Sequence, residues 1–483
     1  VLPQNWLFLI SYKKFREKLL TNDTWHLIAR LGPQAFQTPM WDFNVQLLLI
    51  SQGQVDRDED IYAEASFANQ LCGLDVSEFR SAQEKGEKLV EAELMVVSQS
   101  RQLKNPDARI IYMADISTKH ELISEYAESY QGLRTGDRNR FIQAMWEQAV
   151  INNGWIFHQN SNTMTTFYDG RTEILLWQDA KGELHQSARE RIKHIAGMHE
   201  SGNRAWGKKG IAVNLMSQLY VSLYHGTKFD GNINVIFAKQ YPDLIPLWCY
   251  ISSNDYLTDI RALDQKLSVT NATLLKVPFD LGYWQKVAEE QYPNGLPKPY
   301  SDDPTQWIFH GHPCGSVVWS EKSKKLEQGH LRKDNTVLQV AIARLLGYQW
   351  PAENDASLEL SEESRFWVEQ SRELLRFADE DGIVCVSPVR GEESAMERII
   401  KLLAAAYGDE WSPAVLNELL AACDHAGKSL ESWLRDKFFA QHCKLFMHRP
   451  FIWQIWDGLR DGFSALVNYH KLDNRKLQSL IYN

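Results

Sequence analysis

Long apolar runs are missing from this chain of 483 residues; none approaches the roughly 20 residues that a membrane-crossing helix needs. No secretory signal is visible either. The six cysteines (Cys72, Cys249, Cys314, Cys385, Cys423, Cys443) form no CxxC pair. They read as reduced thiols of a cytoplasmic protein, not as a disulfide framework or a zinc ribbon. There is no P-loop, no PD-(D/E)xK-like cluster that would support a nuclease, no internal repeat and no low-complexity tract. His310-Gly311-His312-Pro313-Cys314, and His442-Cys443 with His448, lack a second pair at zinc spacing and read as structural histidines. No metal ligand set is therefore expected.

What is present is an ordinary globular composition, 44% hydrophobic and 24% charged, long enough for about two or three cores. Seventeen Trp and eighteen Tyr are many; such rings suit base stacking, although most of them belong in cores. The net charge of −10 argues against a uniformly nucleic-acid-coating surface. Its distribution says more. Arg189, Arg191, Lys193, Arg204, Lys208 and Lys209 fall in one stretch against only Glu190 and Glu200, while acids gather over 353–381. That stretch reads either as a phosphate-facing surface or as a solvated helix face.

Periodicity divides the chain. Residues 6–20 carry a helical pattern with Leu7, Ile10, Phe15 and Leu19 near one face, and 24–31 and 44–51 read as strands. The second strand is nearly all apolar, the pattern of one buried on both faces. Residues 75–104 read as one long helix, 109–113 as a short strand, and Ser117 as the cap of a further helix. From 130 to 279 the pattern is mixed, with strands at 165–168 and 173–177 around an Asp169-Gly170 turn. Beyond Pro297 it is helical, notably at 337–346, 362–377, 393–407 and 413–422.

Three groups of residues carry a family resemblance. The first is Val1-Leu2-Pro3-Gln4-Asn5-Trp6-Leu7, then 12–20, then Leu31-Gly32-Pro33-Gln34-Ala35-Phe36. The second is Gly132-Leu133-Arg134-Thr135-Gly136-Asp137-Arg138, followed by Asn139-Arg140-Phe141 and, further on, 266–278. The third is His448-Arg449-Pro450-Phe451-Ile452-Trp453 with Gly462-Phe463-Ser464-Ala465-Leu466. Together they resemble the C-terminal part of N6-adenine-specific DNA methyltransferases of single-chain restriction-modification and BREX or DISARM phage-defence type. Arg138 departs from the family pattern, which has Asn there.

The resemblance implies methyl transfer from S-adenosylmethionine to adenine N6, with double-stranded DNA as partner, further defence-system subunits as other partners, and no membrane. The target base must leave the stack for this reaction. In such enzymes an Asn/Asp-Pro-Pro-aromatic loop grips the amine and a Gly-rich turn holds the cofactor. Asn105-Pro106-Asp107 and Asp303-Pro304-Thr305 lack the second proline and the aromatic, and Phe229-Asp230-Gly231-Asn232-Ile233 is only half of a cofactor turn. The chain, starting at Val1, is thus expected to be a piece or relic of an enzyme. Phe36 holds the place of the ring that stacks on the flipped adenine, with Trp41 and Phe43 as rivals and packing on the sheet edge as the plainer role.

Gly132 and Gly136 permit a tight turn that approaches phosphate closely, and Thr135 lies between them. Arg134, Arg138 and Arg140, with Arg189, Arg191, Lys193, Arg204, Lys208 and Lys209, are the expected DNA contacts. The expected fold is an α/β remnant of a Rossmann-like methyltransferase sheet over 1–55, an insertion and linker over 56–129, a mixed α/β target-recognition domain over 130–280, and a mainly α-helical support over 281–483. Two other readings stay open: a non-catalytic DNA-recognition subunit serving a separate methyltransferase or nuclease, and a helical interaction scaffold without salt-sensitive DNA affinity.

Overall fold

The computed structural model describes residues 1–37, 43–53, 70–111, 120–190, 198–216, 218–264, 268–389, 391–459 and 462–482. They form a mixed α/β protein of several small sheets and many helices. No helix among them is long and apolar enough to cross a membrane. The chain divides into two compact units, one of residues 1–129, 215–219 and 238–285, the other of 130–214, 220–237 and 286–483.

The first unit holds a five-stranded sheet in the order Leu2–Pro3, Val45–Gln52, Asp23–Gly32, Gln70–Asp75, Met95–Ser98. Asp23–Gly32 runs antiparallel to Val45–Gln52 and parallel to Gln70–Asp75. The two long strands fall where the apolar pattern put them, but the second is not buried on both faces. Its one polar residue before Ser51, Gln46, is fully buried, whereas Leu49 is exposed. Antiparallel pairing with both neighbours lets one face meet water, and the pleat assigns Gln46 inward.

Residues 6–20 do not form one helix. Two 3-10 turns, Gln4–Leu7 and Ile10–Tyr12, precede the α-helix Lys13–Asn22. The broken phase exposes Ile10 and Phe15 and buries Trp6, Leu7, Phe8 and Leu20 instead. Arg16 causes much of this. Its buried guanidinium donates to the carbonyls of Leu9 (2.8 Å), Asp107 (2.8 Å) and Ala108 (3.0 Å), pinning the helix by its charged side.

The long helix expected over 75–104 is also interrupted. Ala82–Glu91 is helical with a full Ser81/Glu84 capping box, and then Met95–Ser98 joins the sheet. The β-branched pair Val96-Val97 finds strand partners there, so tertiary pairing overrides the helical propensity of the flanking Glu and Lys. Of the expected 109–113 strand, Arg109, Ile110 and Ile111 are buried but make no strand, and the Ser117 cap lies outside the described residues.

In the second unit, one sheet runs Val221–His225, Lys209–Asn214, Ile233–Ala238, with the Tyr130–Gln131 end of Ala127–Gln131 on its edge. Another contains Ile142–Ala144, Glu173–Leu176, Trp155–Gln159 and Lys228–Phe229. Residues 165–168 form bends where a strand was expected. The four expected C-terminal helices are present, Val337–Leu345 being buried on all sides. The region is less purely helical than its periodicity implied: it adds the hairpin Val317–Ser320/Lys325–Gln328 and a three-stranded sheet of Ile383–Cys385, Ser464–Asn468 and Ile452–Trp456. Strands of three to five residues are too short to show a period of two against the helices around them.

His442 sits in that region among Phe438, Phe446 and Phe451. The Ile452 N–H donates to its Nε2 at 3.2 Å and its Nδ1 faces the Gln339 side-chain oxygen at 3.2 Å, which fixes the neutral Nδ1–H tautomer. Burial pushes it down from 6.5 to about 3. Its folded pKa lies below the unfolded one, so the unfolded chain binds the extra proton between those values and stability falls as pH falls. The loss from such a group is at most about 1.4 kcal/mol per pH unit. Thermal unfolding followed by circular dichroism is expected to show Tm dropping on acidification below about pH 6.5, with a shallower drop in His442→Gln.

Candidate nucleic-acid interface

The segment 130–141 is built by the close approach of two backbones. The Gly132 N–H donates to the Ile233 carbonyl at 3.1 Å, and the Leu133 N–H to the Phe229 carbonyl at 2.9 Å. A Cβ on residue 132 would stand 2.2 Å from the Asp230 carbonyl oxygen and 2.4 Å from that of Phe229. No side chain fits there. The fit is reciprocal: a Cβ on Gly231 would stand 2.6 Å from Cγ of Arg134. Phe229-Asp230-Gly231 therefore braces the Gly132 turn, and this is what half of a cofactor turn in the sequence turns out to do.

Past the brace the chain reverses at Gly136, with φ +73°. Asp137 caps the short helix Arg138–Phe141 by accepting from the Arg140 N–H, and Phe141 anchors the turn in the core. Arg134 and Gly136 are exposed and Thr135 is half-buried. Arg138 bridges Glu173 and, at 3.1 Å, Asp230. Arg140 pairs with Glu183 at 2.8 Å. Two of the three expected phosphate-binding arginines thus already have carboxylate partners, while Arg134 has no ion pair among the described residues. Exposed pairs of this kind are worth little, about 0–1 kcal/mol, and exchange readily for a phosphate.

The turns Met198–Glu200 and Asn203–Ala205, inside the basic stretch, lie against the same edge. The Arg134 N–H donates to the Met198 carbonyl at 2.9 Å, and a Cβ on Gly202 would stand 2.9 Å from the Gln131 carbonyl oxygen. Arg204 reaches the Tyr130 hydroxyl at 3.2 Å, with its guanidinium 5.8 Å from that ring's centre. Tyr130 stacks on Phe237 with ring centres 5.8 Å apart, and the Lys208 ammonium lies 4.0 Å from the Phe237 centre. Cation, ring, ring and cation form one ladder in which exposed Arg204 and Lys208 flank half-buried Tyr130 and buried Phe237, each cation drawn to a ring quadrupole. The sequence flagged the two cations but not the rings that align them; Tyr130 and Phe237 are far apart in the chain and only strand pairing joins them.

Other expected contacts go elsewhere. Lys209 pairs with Glu359 at 2.8 Å, and that carboxylate also meets His225 at 3.2 Å. Burial, then the positive field of Arg171, pushes His225 down to about 3. Arg189 is exposed near the end of the helix Glu183–Glu190. Arg191 and Lys193 lie outside the described residues.

Phe36 belongs to the first unit. It lies 47% exposed in the turn after Asp23–Gly32. Phe43 is also exposed, and Trp41 lies outside the described residues. The strand end that launches this turn is held by charge. The Lys85 ammonium, fully buried, donates to the carbonyls of Leu31 (2.6 Å), Val76 (3.1 Å) and Ser77 (3.3 Å), while Arg30 pairs with Asp75 at 2.6 Å.

No family model and no curated protein matches this chain. Among solved structures, the type IIL restriction-modification enzyme MmeI, determined in complex with DNA, aligns with 86% of this chain and 47% of its own at 10% identity, TM-score 0.32. The type IIG restriction endonuclease BpuSI aligns with 60% of this chain and 41% of its own at 10% identity, TM-score 0.25. The chain spans less than half the length of either.

Gly132→Ala is expected to destabilise the chain by about 2 kcal/mol or more, because backbone must move to admit the methyl group. Gly86→Ala, with open space around its Cβ on the helix Ala82–Glu91, is expected to be neutral or to add up to about 1 kcal/mol. Urea unfolding of both variants checks the contrast; equal effects would mean that the brace is loose.

Proposed function

We propose that this chain is the DNA-recognising portion of a site-specific adenine DNA methyltransferase of a restriction-modification or phage-defence system. The observation that carries the DNA part is the braced Gly132–Gly136 turn, with Arg134 making no ion pair among the described residues, together with the Arg204–Tyr130–Phe237–Lys208 ladder. A braced turn that displays an exposed cation with no ion pair among the described residues suits a phosphate-positioning contact. The adenine and methyltransferase part rests on the sequence resemblance at both ends and the middle of the chain. Within that reading Phe36 stacks on the flipped adenine, residues 1–55 complete the catalytic sheet, and 281–483 support the recognition region.

The half cofactor turn at Asp230-Gly231 does not fit S-adenosylmethionine, because the Gly132 segment fills it, and no step of transfer is assigned to residues of this chain. That same filled turn favours, as a second reading, a recognition subunit serving a separate methyltransferase or nuclease.

Fluorescence anisotropy with duplex DNA over a salt series tests the DNA contact. Binding is expected to weaken linearly in log–log form, and Arg134→Ala to reduce the slope by about one unit, the share of one phosphate. Salt-insensitive affinity, or a slope that Arg134→Ala leaves unchanged, would remove this turn from the interface.

A further inference from the structure

Two imidazoles and a carboxylate converge in the second unit without satisfying one another. His185 comes from the helix Glu183–Glu190, and His199 and Glu200 come from the 3-10 turn Met198–Glu200. His185 Nε2 is 3.6 Å from a Glu200 carboxylate oxygen and His199 Nε2 is 3.9 Å from the same oxygen. The side chain of His185 is only 7% exposed and that of His199 13%. Both ring nitrogens of His185, and Nδ1 of His199, are buried with no hydrogen-bond partner among the described residues. Buried imidazole nitrogens are costly to leave unpaired. The Trp177 ring closes one side of His185 at 4.7 Å between centres, and the His199 ring meets it at 4.7 Å.

We propose that His185, His199 and Glu200 bind one divalent transition-metal ion of the zinc class. The three ligand atoms lie within 4.8 Å of one another. A tetrahedral ion with bonds of about 2.0–2.1 Å spaces its ligand atoms about 3.3 Å apart, so closure requires only small side-chain movements. Two neutral imidazoles and one carboxylate are the ligand types this class of ion takes, and they leave a position for water or an outside ligand. Arg189 is the nearby charge opposing a cation; the Glu200 carboxylate offsets it. The neighbouring carboxylate of Glu183 is already held by Arg140.

The ion would tie the helix Glu183–Glu190 to the turn whose Met198 carbonyl receives the Arg134 N–H. It would thus clamp the base of the arginine turn, a role that does not depend on which reaction the protein serves. The test is Co²⁺ titration of the full chain after dialysis against chelator, followed by visible d–d absorption and by displacement with Zn²⁺. One Co²⁺ per chain with the absorption of a low-coordinate site is expected. Glu200→Gln, at an exposed position that the fold tolerates, and His199→Asn are each expected to weaken binding at least tenfold with unchanged circular dichroism. A chain that binds no Co²⁺, or variants that bind it as tightly as the parent, would overturn the proposal. Either result leaves the salt-dependence of DNA binding to be judged separately.

Discussion

The contact between Gly132 and the Asp230 carbonyl governs the arrangement around it. With 2.2 Å between a hypothetical Cβ and that oxygen, only a residue without a side chain lets the two backbones pair as Gly132 N–H to Ile233 and Leu133 N–H to Phe229. The pairing sets the direction in which the chain leaves the sheet. Gly136 then reverses it, Asp137 caps the short helix, and Phe141 plugs the core. Arg134, Arg138 and Arg140 are displayed because the backbone beneath them has no freedom to withdraw. A rigid display lowers the ordering cost of any later contact.

Charge in this chain is managed by partner type. Arg138, Arg140 and Lys209 face carboxylates, and Arg204 and Lys208 lie over rings. A net charge of −10 is therefore no bar to a local anion-seeking surface, because Arg138 and Arg140 stay half exposed within their carboxylate pairs. The buried cations have structural work instead. Arg16 and Lys85 satisfy main-chain carbonyls inside the first unit, and Arg344 pairs with Glu353 at 2.5 Å inside the second. Desolvation makes such groups costly unless their donors are used, and here they hold irregular backbone that has no ladder partner.

Legibility from sequence followed the length of each element. The strands Asp23–Gly32 and Val45–Gln52 and the helices of 337–422 announced themselves by sustained periodicity, and the turn around Gly132 by its glycine spacing. The helix expected over 75–104 failed where Val96-Val97 found a sheet partner, and the face expected over 6–20 failed because a buried Arg16 outweighed Ile10 and Phe15. Neither competition is visible without the third dimension. For the site, residue type marked the arginines but not their state: Glu173, Glu183 and Asp230 neutralise two of them from distant positions. His185 and His199 passed unremarked because fourteen positions separate them, outside any compact ligand spacing.

Hydrogen exchange measured by mass spectrometry, with and without duplex DNA, tests the central claim directly. If the braced turn is the contact, DNA is expected to slow exchange across 132–140 and across the neighbouring 198–208 turn, and the slowing should fade as salt rises. DNA binding that leaves the amides of both turns exchanging at their free rates would contradict the account.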